Sequence, residues 1–199
     1  FRSELLDDEV NPVWLRAPLA PRFAARRQGR SVELGAVRRR VQALAQRCDV
    51  LLVEGAGGVL VPLTPRQTVA EFIAGVGAET VVVATNRIGV INQVGLTVEA
   101  LRGRGVRVRK VVLMDPAALD PSSSGNGGYV RETLVGIEVF RIRNLGMRAS
   151  QIGVVERAAK KLKKVLAGIC GVDIVCPRSL ERSAKAGRPS ADKKTKKSR

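Results

Sequence analysis

The chain has 199 residues, 45% of them hydrophobic and only 3% aromatic, contains no histidine, and carries a formal net charge of +17. The missing imidazole excludes Ser-His and Cys-His nucleophile pairs. The length suits one domain with its own core, and no apolar run reaches the roughly 20 residues that cross a bilayer. Cys48, Cys170 and Cys176 lack paired spacing and read as reduced thiols, and the acidic start FRSELLDDEV is unlike a signal peptide. A soluble, cytoplasmic protein without a membrane segment is the expectation.

Residues 4–30 are rich in Pro and Arg, with one short helix expected over Phe23 to Arg27. From Ser31, a possible cap, the apolar positions Leu34, Val37, Val41, Leu44 and Ala45 recur at helical spacing and predict a helix ending near Arg47. Asp49 to Val53 (DVLLV) is a short continuous apolar run, which predicts a strand buried on both faces. Thr68 to Val76 reads as a helix, Thr80 to Ala84 as a strand, Asn92 to Arg102 as a helix and Val108 to Leu113 as a strand. Tyr129 to Leu134 reads as a short helix, Glu138 to Ile142 as a strand, and Ser150 to Leu166 as an amphipathic helix with Lys160, Lys161, Lys163 and Lys164 on its wet face. Strands alternating with helices predict an α/β fold: a parallel sheet with helices on both faces. This domain is placed over residues 1–175, with a basic, disordered tail over 176–199.

Ligands of such sheets sit at the carboxyl ends of the strands, which singles out three loops. In the first, Glu54 precedes Gly55, Ala56, Gly57 and Gly58, a carboxylate followed by small residues that let backbone amides approach an anion. An ordinary tight turn with a solvated Glu54 has the same spacing. In the second, Thr85 to Asn92 turns through Gly89 into a helix whose N-terminal amides could meet a carboxylate; a plain strand-to-helix turn capped by Asn92 is the simpler account. The third begins at Met114, Asp115 and Pro116.

The strings VEGAGGVLVPL and TNRIGVIN resemble the corresponding segments of dethiobiotin synthetases, and the resemblance extends over about Asn11 to Ala167. It implies a P-loop NTPase-like fold, ATP and Mg2+ as cofactors, and a homodimer. It also implies ATP-dependent carboxylation and ring closure of 7,8-diaminononanoate with CO2 to dethiobiotin, a step of biotin synthesis. By the same resemblance Glu54 would hold the metal and, with Gly55, Ala56, Gly57 and Gly58, the phosphate region. Gly89, Val90, Ile91 and Asn92 would hold the substrate carboxylate. Met114 and Asp115, with Arg143, Asn144 and Leu145 after the last strand, would contact the nucleotide. Met114 stands where the family has an adenine-reading Asn, and Arg143 where a Pro is usual. No GxxxxGK[ST] string occurs in the chain. The family's phosphate-binding loop lies upstream of the position matched by Phe1. The expectation is therefore an incomplete chain, inactive and marginally stable by itself, without a retained catalytic lysine.

From Pro177 to Arg199, nine Lys or Arg stand against Glu181 and Asp192. No aromatic residue there could stack on bases, so a solvated end is favoured over nucleic-acid binding. A partition-type ATPase or basic nucleic-acid-binding module remains a rival reading. A cobyrinate or cobyrate synthase-like domain is another, although the glutaminase of those proteins needs a Cys-His pair.

Overall fold

The computed structural model describes residues 6–55, 57–146 and 151–171. In chain order the helices and strands are α1 (Asp7–Val10), α2 (Pro21–Arg27), α3 (Leu34–Ala45), α4 (Val69–Val76), β1 (Thr80–Thr85), α5 (Val90–Arg102), β2 (Val108–Met114), α6 (Asn126–Thr133), β3 (Glu138–Ile142) and α7 (Ile152–Cys170); a 3-10 turn, Pro121–Ser124, precedes α6. The three strands form one parallel sheet in the order β1-β2-β3, with Val82 opposite Val111 and Leu113 opposite Arg141. Parallel neighbours need crossovers, and α5 and α6 supply them. On one sheet face Val82, Val111 and Leu113 pack with Val90, Val94, Val98 and Leu101 of α5, Ala70 of α4 and Val130 of α6. The other face meets α7: Lys110 Nζ donates to the Ile169 carbonyl at 3.0 Å, and Gly168 lies against Phe140. Helices therefore lie on both faces, as the alternating pattern predicts.

Two expectations change. Asp49 to Val53 is not a strand; Leu52 is 80% exposed and only Leu51 is half-buried. A buried strand needs a neighbouring ladder for its backbone groups, and among the described residues nothing pairs with this run. Ser31 does not cap α3 either. The N-cap is Glu33, and the Ser31 hydroxyl is spent on the Glu33 carboxylate at 2.8 Å. The other helices and strands lie within a few residues of their expected positions, although Ser150 falls outside the described residues, as do Ala56 and residues 176–199, Cys176 among them. Cys48 and Cys170 are free thiols. Lys160, Lys161, Lys163 and Lys164 are exposed, as their helical spacing predicts. No described helix is long and apolar enough to cross a membrane.

Candidate functional site at the carboxyl ends of the strands

Just beyond β1 and β2 the ladder continues by one residue each. Asn86 N–H donates to the Met114 carbonyl at 2.7 Å, and Asp115 N–H donates to the Ile142 carbonyl at 2.8 Å. These bonds fix both side chains in the protein interior, where Asn86 is fully buried and Asp115 is 5% exposed. Buried polar groups must find partners, and here they find each other. Asn86 Nδ2 donates to Asp115 Oδ1 at 2.7 Å and to the Ser123 carbonyl at 3.0 Å, while Asn86 Oδ1 accepts from Asn126 Nδ2 at 3.0 Å. The Ser123 hydroxyl returns a bond to the Asn86 carbonyl at 2.8 Å. Arg141 Nε reaches both oxygens of Asp115, at 2.8 and 3.0 Å. Burial would raise the Asp115 pKa, but hydrogen bonds from Arg141 and Asn86 and the charges of Arg141 and Arg143 outweigh it and hold the carboxyl below its ordinary value.

This network ties down two of the three loops. Towards the last strand, Asn144 Nδ2 donates to the Asp115 carbonyl at 3.4 Å, and Asn144 Oδ1 accepts from Gly146 N–H at 2.8 Å. Arg143 and Leu145 lie exposed beside them, and Met114 is half-buried at the end of β2. Towards α5, Asn126 Nδ2 also donates to the Arg87 carbonyl at 3.4 Å. Gly89 occupies the left-handed region at φ 87° and is the N-cap of α5, so Asn92 lies within the first turn rather than at the cap. The amides of Ile91 and Asn92 donate to no backbone carbonyl among the described residues, which leaves them free for an acceptor.

The Glu54 loop stands apart. Glu54, Gly55, Gly57 and Gly58 are exposed, and the chain then folds onto α4 through Val69 N–H to the Val61 carbonyl (3.0 Å) and Ala70 N–H to the Val59 carbonyl (2.8 Å). Among the described residues no hydrogen bond joins residues 54–58 to the Asn86 network, and no group of three or more His, Cys, Asp or Glu could together hold a metal ion. A single carboxylate suits Mg2+ only where phosphate oxygens and water complete the shell. Concave spaces of about 440 and 370 Å³ lie elsewhere, along α5 near Leu134 and beside Glu79 and Arg107.

Of these residues Asp115 and Asn144 are predictable from the sequence, whereas Asn86, Ser123, Asn126 and Arg141 are not. Asn86 lies within the TNRIGVIN string, where an amide at a strand terminus is its only signal. Ser123 and Asn126 sit in the Gly- and Ser-rich run SSSGNGG, which looks like plain loop. Arg141 occupies an ordinary polar position of a strand and is revealed only by register.

The sequence profile of a family described as an AAA domain matches residues 5–156. Proteins named ATP-dependent dethiobiotin synthetase are similar to the chain. The one from Anaeromyxobacter sp. is 46% identical over 112 residues, covering 56% of this chain and 50% of its own. That of Chlorobaculum tepidum is 38% identical over 107 residues, 54% of this chain and 45% of its own. That of Methanocaldococcus jannaschii is 36% identical over 110 residues, 53% and 51%. The chain thus spans about half the length of the curated relatives it matches. With its parallel sheet and matched profile, the chain belongs to the AAA-domain family of P-loop NTPase type, and its resemblance to dethiobiotin synthetases is borne out by these relatives.

Proposed function

We propose that the protein to which these residues belong is an ATP-dependent ligase that forms dethiobiotin from 7,8-diaminononanoate and CO2 in biotin synthesis. The observation that carries the reading is the 46% identity over 112 residues to a protein of that name. In the reaction one amine of the diamino acid adds to CO2 as a carbamate. ATP transfers its terminal phosphoryl group to a carbamate oxygen, and the second amine attacks the carbonyl carbon to close a cyclic urea as phosphate leaves. Such chemistry rests on positioning and on neutralising phosphate charge.

In this reading the Ile91 and Asn92 amides, with Gly89 and Val90, hold the substrate carboxylate at the start of α5. Met114, Arg143, Asn144 and Leu145 border the nucleotide, with Asp115 behind them. Glu54 would supply one oxygen ligand to a Mg2+ ion, and Gly55 to Gly58 would give the reacting oxygens close backbone approach. The Mg2+ neutralises phosphate charge when bound. A cytoplasmic homodimer is part of the same proposal, as is inactivity of the 199-residue chain alone, which contains no GxxxxGK[ST] string.

The test is incorporation of labelled bicarbonate into dethiobiotin by the full-length source protein with ATP and Mg2+. Product that depends on all three supports the reading, and ATP turnover without dethiobiotin overturns it. Glu54→Gln in that protein should lower turnover by about a hundredfold or more, because metal neutralisation contributes several kcal/mol to phosphoryl transfer, and should leave the melting temperature unchanged. Turnover near the parent level would remove Glu54 from the metal.

A further inference from the structure

We propose that Asn86 is a positioning residue that holds two separate binding turns in register, one through Asp115 and the other through Asn126. The inference rests on the functional reading above for the identity of the ligands, but not for the geometry. Asn86 is fully buried, and its side chain uses both amide hydrogens and its oxygen on Asp115, Ser123 and Asn126. One arm runs from Asn86 to the Asp115 carboxylate, which Arg141 also grips, and through the Asp115 carbonyl to Asn144 in the turn after β3. The other arm runs through Asn126 to the Arg87 carbonyl, at the entrance to α5. No described hydrogen bond joins the two turns directly, so the buried amide is the branch point.

An aspartate at this position would set a second carboxylate 2.7 Å from Asp115 and oppose the Ser123 carbonyl, while leucine would cut both arms at the branch, leaving Asp115 to Arg141 alone and Asn126 to the Arg87 carbonyl and the Ser122 hydroxyl. Because the arms separate, variants should separate too. Asn86→Ala loosens both turns, Arg141→Met only the turn at 142–146, and Asn126→Ala only the α5 entrance at 87–92. Arg141 is 44% exposed on its side chain, so its replacement opens no cavity in the core, although it takes the counter-ion from the buried Asp115.

Amide hydrogen exchange on the 199-residue chain reads this without any ligand. The expected result is exchange faster by about tenfold, the equivalent of about 1.4 kcal/mol, in both segments for Asn86→Ala and in one segment each for the other two variants. Equal acceleration of both segments by all three variants, or none in either by Asn86→Ala, overturns the inference. In the full-length protein the same split should appear in KM: Arg141→Met raises that for ATP about tenfold and Asn126→Ala that for diaminononanoate. Parallel loss on both substrates in each variant would indicate simple destabilisation and overturn the positioning role. A full-length protein that makes no dethiobiotin defeats the functional reading, while the exchange pattern still decides this one.

Discussion

Asp115 illustrates how a buried carboxylate can stay ionised. Burial alone would favour the neutral acid, yet the bonds from Arg141 and Asn86 win and its pKa lies below the ordinary 3.8. A carboxyl depressed in the folded state stabilises the fold at every pH above its unfolded value, and the contribution fades as pH falls through the folded value. Glu71, lowered to about 2 chiefly by the Thr68 hydroxyl and then by Arg104, acts in the same direction. Unfolding midpoints in urea should therefore be flat from neutral pH down to about 5 and fall steeply below about 4. Asp115→Asn should start lower and show a shallower acid fall; an identical slope would mean that Asp115 is not the linked group. Asp115 is legible in the sequence because it lies at the carboxyl end of an apolar strand, in a segment that resembles the nucleotide-contacting loop of dethiobiotin synthetases. Its partner Arg141 is not, because Leu113 and Arg141 become neighbours only through the register of β2 with β3.

Among the helices and strands, the local code is clearest where side chain and backbone agree. At the N-terminus of α4 the Glu71 carboxylate accepts from the Thr68 backbone N–H at 2.6 Å and from the Thr68 hydroxyl, and Gly77 ends the helix in the left-handed region at φ 72°. Thr68→Ala should cost about 1 kcal/mol in unfolding free energy, and an unchanged midpoint would show that the hydroxyl contributes nothing. At the entrance to α5 a Cβ on Gly89 would meet nothing within 4 Å, but φ is 87°. Gly89→Ala should thus cost about 1 kcal/mol through the backbone alone, with no loss of packing. Helix periodicity and apolar strands gave β1 to β3 within a residue, since each is either crossed by a helix face or flanked by another strand. The run DVLLV obeyed the same rule and did not form a strand, because an apolar run specifies burial only where a neighbouring ladder exists to complete it.

For the molecule as a whole, the chain's charge and its exposed apolar groups act against each other. A net charge of +17 favours dispersal through repulsion that salt screens. Against it stand Val50, Leu52 and Val53, at 43%, 80% and 50% exposure, and Val83 at 63% on β1, an edge strand of the described sheet. Open edges with apolar side chains invite pairing with another copy. At low salt repulsion should keep the 199-residue chain dispersed, whereas at a few tenths molar salt, where the screening length falls below about 8 Å, apolar contact should win. Sedimentation velocity across a concentration series should then show association that grows with salt. Val83→Lys, which sets a charge on that edge, should reduce the association without lowering the melting temperature, since an exposed valine contributes little to the core. Association that weakens with salt would mean that opposite charges hold the copies together, and association untouched by Val83→Lys would move the contact away from β1.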